Sequence, residues 1–359
     1  MAILTDFMER KLLDHIFGVT EMTKLTSLYL GISTTAFSES DTASQALAKE
    51  PGSSGTTYNG NGYNRVNVYN NFEDTSDGAT NGSQISFPQV STSNWGSIGY
   101  WALFEDPLPT NGTSSSTIDS DDGQKPLMIG SFSAAVTTNV GDQFRIASGD
   151  FDITLPSALQ TTTNNSFNNG KFNLTNLMGL NGNNPTWTFW DGSAVNKSFY
   201  LGVSTSVFGT SGSNNEDSAG SQEPGASSQG TTSSLLSSYN NNGYSYRPQI
   251  TFNSASTSSG TTTITNSSAV EFPECATNNW GDITHFAVFA GGDTDSNAVT
   301  HQRYAKYPSG SGVSLGTSSG TAAIEQRRPF FIGALDATKT INVGDTLRFP
   351  AGSISIALD

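Results

Sequence analysis

The sequence predicts an all-β protein with two tandem antiparallel β-sandwich domains, of jelly-roll or immunoglobulin-like type, and a short N-terminal α-helix. Three observations lead to this prediction: blocks of sequence occur twice, apolar residues alternate with polar ones, and one stretch alone has clear helical periodicity. Alternation indicates strands, because successive side chains of a strand point to opposite faces of its sheet. The 359 residues suffice for two domains with a core each.

The repeat consists of three blocks that return in the same order, with longer connections in the second copy. The paired blocks are 28–34 with 199–205, 85–104 with 270–289, and 126–155 with 329–358. Matching blocks predict the frame of a domain, and the unmatched segments between them predict its loops. The predicted division of the chain is a docking helix (1–26), a first sandwich (27–156), a linker (157–196) and a second sandwich (197–359). Trp187, Phe189 and Trp190 form an aromatic cluster in the linker, which we interpret as an interdomain plug.

Short segments with alternating apolar residues predict the strands of both domains. Leu28, Leu30 and Ile32 alternate with polar or small residues, and the second copy keeps this pattern. The segments 98–104 and 283–289 are apolar on both faces, which predicts central strands. This pattern predicts about seven short strands in each domain.

The stretch from residue 3 to residue 17 is predicted to be a helix, because its apolar residues recur every three or four positions. Thr5 or Asp6 is expected to cap its start, and Gly18 stands where a helix usually ends. A helix this short needs a partner. Its apolar stripe either packs against the first domain of its own chain or docks on a neighbouring subunit. The candidate assembly residues are Phe7, Met8, Leu12 and Ile16.

The composition argues against several classes of partner. The net charge is −15 and only 13% of residues are charged, so no basic patch is expected for nucleic acid or for an anionic membrane surface. The single cysteine, Cys275, excludes an intramolecular disulfide framework. The sequence has neither an apolar run of transmembrane length nor the features of a signal peptide. We therefore expect a protein that is made in a cytoplasm and is not exported through a cleaved signal.

Long polar segments between the strands are predicted to be loops that are displayed or trapped between subunits, because such loops are uncommon inside a compact domain. They span 36–61, 105–124, 209–240 and 290–327. Tyrosines in such loops suit recognition of a surface, and they equally suit subunit contacts. The candidate recognition residues are Tyr239, Tyr244, Tyr246, Tyr304 and Tyr307, with Tyr58 and Tyr63 in the first copy.

Residues at equivalent positions of the two copies are interpreted as architectural. A tryptophan followed by a glycine is expected to fill the sandwich and let the chain turn into the central strand. A Gly-Asp pair predicts the turn into the last hairpin, and Arg145 and Arg348 are expected to pair with the aspartate of that turn. The repeated frame residues are Trp95, Gly96, Gly141, Asp142, Trp280, Gly281, Gly344 and Asp345.

No catalytic, cofactor or metal site is predicted. Cys275 with His285 is an imaginable zinc pair, but the first copy lacks both residues, so a structural histidine is favoured. Ser318 lies in Ser/Gly-rich sequence, where the letters of a nucleophile elbow have no structural context. The acidic segment 119–123 lacks the distal glutamate of a calcium loop and is interpreted as a solvated turn.

Several motifs together point to a family. They are the opening helix at 7–17, the repeated blocks, and the segment 280–289 (WGDITHFAVF), which is similar to a W-G-x-I-T-H-x-x-I-F strand. This combination resembles tailed-bacteriophage tail-fibre-like or minor structural virion proteins, here with a duplicated β domain. The resemblance implies a non-enzymatic virion protein, made in the host cytoplasm, that forms a homo-oligomer. Its partners would be virion proteins of the tail, the portal or adaptor, or the major capsid.

Two placements on the particle stay open. A tail, baseplate or fibre-type appendage is favoured by the usual label of the family. A capsid decoration protein, either a cement or a head-fibre protein, is favoured by the tandem domains and by the absence of fibre-like sequence repeats. A module that binds a host receptor or surface glycan is a further alternative, based on the tyrosine loops. A depolymerising enzyme lacks a supporting pair of carboxylates.

Overall fold

The structure, a computed structural model, is built mostly of antiparallel β-strands, which confirms the predicted all-β class. The residues that it describes are 3–20, 25–75, 78–154, 198–208, 223–224, 242–244, 247–291 and 329–358. Within these ranges no helix has the length and apolar character needed to cross a membrane.

The N-terminus forms a short strand and then a helix. Strand β1 (Ile3–Leu4) precedes helix α1 (Asp6–Ile16), so the expected helical start at residue 3 is wrong by three residues. The reason is a tertiary contact: the Thr5 hydroxyl accepts a hydrogen bond from the backbone N–H of Met8 and donates one to the carbonyl of Pro126, 2.6 Å away. Thr5 therefore caps the helix and joins β1 to the first domain.

The described part of the first half of the chain contains nine further strands. They are β2 (Tyr29–Ser33), β3 (Val66–Asn67), β4 (Phe72–Asp74), β5 (Gly78–Asn81), β6 (Ile85–Gln89), β7 (Gly96–Phe104), β8 (Met128–Thr138), β9 (Gln143–Ile146) and β10 (Asp152–Thr154). Strand β7 lies in the middle of a sheet of order β1-β8-β7-β2-β3, as predicted for a strand with two apolar faces. The facing layer consists of the sheet β10-β5-β4 and the pair β6-β9.

The described part of the second half contains nine strands. They are β11 (Ser198–Ser204), β12 (Gln249–Ile250), β13 (Ser256–Ser258), β14 (Thr261–Thr265), β15 (Val270–Glu274), β16 (Gly281–Gly291), β17 (Pro329–Ile341), β18 (Thr346–Phe349) and β19 (Ser355–Leu358). Their sheets have the orders β12-β11-β16-β17, β13-β14-β19 and β15-β18. These orders are the same as in the first half, with β11, β12, β16 and β17 in the places of β2, β3, β7 and β8. The one difference among the described residues is that no strand pairs with the outer edge of β17, where β1 pairs with β8 in the first half.

Each half therefore has more strands than the seven expected, because short strands of two or three residues complete the layers. The predicted hairpin after the Gly-Asp turn is also wrong. Strand β8 pairs with β7, whereas β9 pairs with β6 in the facing layer. The turn thus carries the chain from one layer of the sandwich to the other.

The polar segments 36–61 and 105–124 form structure of their own. They contain helix α2 (Ala43–Lys49), helix α3 (Ser115–Asp119) and a 3₁₀ turn (Asp122–Gln124), none of which the hydrophobic pattern predicts. Ala43, Leu47, Tyr58 and Ile118 form a small apolar cluster under them.

The main core runs through both halves of the chain as one cluster of buried apolar residues that includes helix α1. Trp101 on β7 meets Phe151, beside β10, with ring centroids 4.9 Å apart across the sandwich. Burial of large aromatic rings contributes most of the apolar area in such a core. The two layers are therefore held together by aromatic contacts.

Helix α1 joins the two halves. At its C-terminal end the ring of Phe17 lies 4.3 Å from that of Phe252 and 5.4 Å from that of Phe199, both in the second half. The Asp14 carboxylate accepts a hydrogen bond from the backbone N–H of Ala255. Of the two partners left open by the sequence, the helix packs on its own chain, and it contacts the second half as well as the first.

We expect Phe17→Ala to lower the free energy of unfolding by about 3 to 5 kcal/mol, because it removes a buried ring from the contact between the halves. Urea denaturation of the full chain measures this change. Val140→Ala is the control, since Val140 is 51% exposed and its truncation should change stability by at most about 0.5 kcal/mol. A loss below about 1 kcal/mol for Phe17→Ala would contradict the proposed role of the ring.

Candidate functional site

The repeated Trp-Gly pairs hold a loop against the sandwich. The indole N–H of Trp95 donates to the carbonyl of Asn61 at 3.2 Å, and that of Trp280 donates to the carbonyl of Asn242 at 2.8 Å. The glycine that follows each tryptophan has a positive φ, near +89° in the first half and +82° in the second. Only glycine adopts this conformation without strain, so Gly96 and Gly281 set the direction of the central strand.

The repeated Gly-Asp turns are closed by their aspartates. The Asp142 carboxylate accepts from the backbone N–H of Asn139, and Asp345 does the same for Asn342, both at 2.8 Å. Gly141 and Gly344 have φ near +93° and +91°. The turn therefore uses each aspartate to bind its own backbone.

The arginines after these turns do not pair with the aspartates, so that expectation is wrong. Arg145 donates to the side-chain oxygen of Gln143, and Arg348 lies 3.9 Å from Glu271 at the surface. Each arginine therefore has a partner on its own strand or on the neighbouring strand.

A buried ion pair occupies the second domain. Arg247 Nε and Nη2 donate to the two carboxylate oxygens of Glu223 at 2.8 and 2.7 Å. Both side chains are at most 5% exposed. The guanidinium carbon lies over the ring of Phe289, 3.3 Å from its centroid. A buried charge pair persists only when its remaining hydrogen-bonding groups are satisfied, and the surrounding residues serve this need.

Tyr244 and Gly202 complete this network. The hydroxyl of Tyr244 donates to Glu223 at 2.7 Å and accepts from the backbone N–H of Val203 at 3.3 Å. Burial raises the pKa of Tyr244 well above its usual value, so the phenol stays protonated and able to donate. A Cβ atom on Gly202 would lie 2.7 Å from Glu223 Oε1 and 2.7 Å from the Phe289 ring. Glycine at this point of β11 is therefore required by the ion pair.

The first domain contains the same arrangement. Arg65 Nε donates to Glu50 at 2.9 Å, and both side chains are fully buried. The guanidinium lies 3.4 Å from the ring centroid of Phe104. Tyr63 accepts from the backbone N–H of Ile32 at 3.0 Å. A Cβ on Gly31 would come within 2.6 Å of Glu50 Oε1.

The first network differs in what else Arg65 binds. Its Nη1 donates at 3.0 Å to the backbone carbonyl of Asp106 and at 3.0 Å to the side chain of Gln124, whereas its buried Nη2 has no hydrogen-bond partner. Burial raises the pKa of Glu50 to about 7, and the neighbouring Arg65 opposes this effect only in part. Arg65 thus joins three segments: α2 through Glu50, its own strand region, and the 105–124 loop.

The Arg65–Glu50 and Arg247–Glu223 networks attach loops to the frame of the sandwich. The comparison of the repeated sequence blocks did not predict them. Tyr63 and Arg65 recur as Tyr244 and Arg247 with one extra residue between them, which is the signal that was available. The glutamates lie in unmatched loops, so comparing blocks excludes them. Because the carboxylates are inaccessible and paired, the arrangement serves packing and has no route to a substrate.

The candidate recognition tyrosines are only partly described. Tyr244 is fully buried in the network above, as are Tyr63 and, nearly so, Tyr58, which removes all three from any displayed surface. Each phenol has a hydrogen-bond partner within the fold, which polar flanking sequence does not reveal. Four candidates lie outside the described residues: Tyr239, Tyr246, Tyr304 and Tyr307. The linker cluster at 187–190 lies outside them too.

The candidate assembly residues of α1 are mostly internal. Met8, Leu12 and Ile16 are at most 2% exposed in the main core. Phe7 is half-buried, and the ammonium groups of Lys11 and Lys125 lie 4.6 and 5.0 Å from its ring centroid.

The residues weighed for metal chemistry are spread over separate structural roles. Buried Cys275 donates to the carbonyl of Asn278, and the Nδ1 atom of His285 lies 2.8 Å from the Thr284 hydroxyl. Asp119 accepts from the N–H and hydroxyl of Ser44. In the described part of the chain, no three His, Cys, Asp or Glu side chains are grouped as metal ligands. Ser318 lies outside it.

We expect Glu223→Gln to lower the free energy of unfolding by about 3 to 5 kcal/mol, because it leaves the buried Arg247 charge uncompensated. The double variant with Arg247→Met should lose less than the sum of the single losses, and urea denaturation of all three measures this coupling. Arg348→Met is the control, since its ion pair is more than 60% exposed and is worth at most about 1 kcal/mol. Additive losses would mean that the two side chains act independently.

We expect Gly202→Ala to lower the melting temperature strongly, because its methyl group displaces the Glu223 carboxylate and the Phe289 ring. Overpacking of this kind costs about 1 to 3 kcal/mol. Gly99→Ala on β7 is the matched control, since its Cβ would meet only Ala135 at an ordinary 3.6 Å. Equal melting temperatures for the two variants would show that the close approach at Gly202 is unimportant.

Comparison with known proteins adds a family to this geometry. The sequence profile of the family described as Podophage GP4 fiber I protein gp80 matches residues 3–154 and 219–307, together about two thirds of the chain. The first range spans β1, α1 and all strands of the first half. No curated protein matches the chain in sequence. The match confirms the resemblance to phage tail-fibre-like proteins, and the chain belongs to the podophage GP4 fiber I protein gp80 family of virion structural proteins.

Proposed function

We propose that the chain is a structural part of the phage tail, a tail, baseplate or fibre-type appendage that assembles as a homo-oligomer. Membership of a fibre family supports this placement. The observation that carries the proposal is the repeated ion-pair anchor, in which a buried arginine ties surface loops to a rigid sandwich in each domain. Such a design suits a scaffold that presents loops to neighbouring proteins.

The proposal includes the absence of catalysis. The carboxylates that sit deepest in the described residues, Glu50 and Glu223, are each paired with an arginine and shielded from solvent. General acid–base chemistry needs a group within hydrogen-bond reach of a substrate. Neither glutamate meets this requirement, which supports a purely structural role.

Assembly through the N-terminus would use the accessible side of α1. Met8, Leu12 and Ile16 are buried in the core of their own chain. The half-buried Phe7 is therefore the candidate for contact with a partner, together with the two lysines beside its ring, Lys11 on the helix and Lys125 on the neighbouring loop. The partners in this proposal are other virion proteins of the tail or of the portal and its adaptor. No nucleic-acid or membrane partner is proposed.

A capsid decoration protein is the second candidate. It is favoured by the compact tandem sandwiches, since the described residues contain neither a long coiled coil nor a repeated triple-stranded helix of the kind that extends a fibre shaft. In that case the major capsid protein would be the partner. Binding of a host surface glycan remains the alternative that depends on the four tyrosines outside the described residues.

Immunogold labelling of purified particles with antibody against this chain distinguishes the candidates. We expect gold at the tail, in a number of copies per particle that is constant and set by the symmetry of the appendage. Gold spread over the head would overturn the tail placement and support decoration of the capsid. Particles treated with pre-immune antibody are the control, and enzymatic activity of the purified chain on host polysaccharide would contradict the structural role.

A further inference from the structure

The two halves of the chain present an equivalent small surface with different charges. In each half a pair of short strands, β6 with β9 and β15 with β18, buries alternate residues and turns the others to solvent. We call the outward sides of these pairs the β6–β9 face and the β15–β18 face. The polar residues at equivalent positions are Ser86, Gln89, Gln143 and Arg145 in the first face, and Glu271, Glu274, Thr346 and Arg348 in the second.

Charge distinguishes the two faces. The β6–β9 face has Arg145 as its one charged residue, so its net charge is positive. Two glutamates stand in the β15–β18 face where the first face has Ser86 and Gln89, and they outnumber the single Arg348. In both halves the arginine lies directly across from the first of these positions, which is Ser86 in one strand pair and Glu271 in the other. The faces therefore have the same backbone register and opposite net charges.

The charges of both faces are accessible to a second molecule. The exposed Arg145 guanidinium donates to the neutral side chain of Gln143, and it has no carboxylate partner in the described part of the chain. Arg348 and Glu271 lie 3.9 Å apart, and their side chains are 63% and 66% exposed. An exposed pair of this kind is weak, and Glu274 beside it is exposed as well. The second face thus keeps an excess of acidic charge at its surface.

An exposed apolar residue stands next to each face. Val140 and Val343 lie in the repeated Gly-Asp turns that lead into β9 and β18, and each is 51% exposed. Glycine and polar residues are the usual occupants of turns. One exposed valine is ordinary at a protein surface, but here the same turn position exposes a valine in both halves. An apolar point with charged residues around it has the composition of a small protein–protein contact.

We propose that the β6–β9 face of one copy of the chain binds the β15–β18 face of the next copy. Arg145 then meets the two glutamates of the second face, and the two valine turns pack together. Contact between two β6–β9 faces, or between two β15–β18 faces, would place like charges against each other, which is unfavourable. This contact rests on the homo-oligomer proposed above and names the surfaces that form it.

The contact joins two different surfaces, so it can repeat from copy to copy. Each copy has one face of each kind, and both are exposed in the single chain. A heterologous contact generates a ring when its rotation closes, which suits a symmetric appendage. Exposed charges make the contact weaker as salt screens them. Copies that are held side by side on a particle meet at a higher effective concentration than copies in dilute solution.

Sedimentation velocity of the full chain over a series of concentrations tests this contact. We expect the wild type to self-associate reversibly at low salt and to do so less at high salt. Arg145→Glu makes both faces acidic, and Glu271→Arg makes both faces basic. Because each variant then places like charges against each other, each alone should associate at least about tenfold more weakly than the wild type.

An equimolar mixture of the two variants is the decisive sample. The basic β6–β9 face of the Glu271→Arg chain matches the acidic β15–β18 face of the Arg145→Glu chain, and the two remaining faces also have opposite charges. The mixture should therefore recover the association that each variant has lost. A mixture that associates no better than the single variants would overturn the proposal.

Charge reversals outside the two faces are the matched controls. Lys339→Glu and Asp336→Arg make the same changes of net charge at exposed positions of β17, which belongs to another sheet. We expect both controls to associate as the wild type does, and equal weakening in them would reject the two faces. Association that is unchanged in the face variants would reject this contact and leave the homo-oligomer standing. A wild type that stays monomeric would reject the contact and the homo-oligomer, whereas the position of gold on the particle decides the tail placement separately.

Discussion

A positive charge buried between each β-sandwich and the loops that cover it is the constraint on which much of the remaining structure depends. Burying an arginine is unfavourable unless a carboxylate and further acceptors accompany it, and a flat aromatic face below it adds attraction. The chain meets these needs with residues from three separate elements. A glycine makes room on β2 or β11, a phenylalanine forms the floor on β7 or β16, and a glutamate arrives from a loop. The charge thus specifies where a loop must meet the frame.

This division matches what the two halves of the chain share and where they differ. Strand order, the tryptophan that holds a loop carbonyl, and the aspartate-closed turn are the same in both halves. The connections between strands differ in length and sequence. A loop that is attached at one buried point can change elsewhere without disturbing the sandwich. The shared frame is therefore constrained by its packing, whereas the connecting loops are free to vary in length and sequence.

The strands and turns were predictable because their cause is local. Alternation of apolar residues and glycines at positive φ leave a mark within a few residues. Strand β1 was not predicted because two residues are too few to show an alternating pattern. Its formation depends on pairing with β8, which is distant in sequence. Helix α2 begins with a capping box formed by Thr42 and Gln45. This local signal is present in the sequence, although the segment was predicted to be a loop. The glutamates of the ion pairs, and the burial of Tyr244, depend on distant partners that no single segment reveals.

The distant contacts of helix α1 affect how the protein folds during its synthesis on the ribosome. Its capping residue binds Pro126, and its far end binds Ala255 and Phe252. A nascent chain emerges from its N-terminus onward, so part of the apolar surface of the helix stays uncovered until the segment with Phe252 and Ala255 has been made. During that interval the same surface is available to chaperones or to other nascent chains. Translation rate through the second half therefore governs how long the first half remains vulnerable to wrong association.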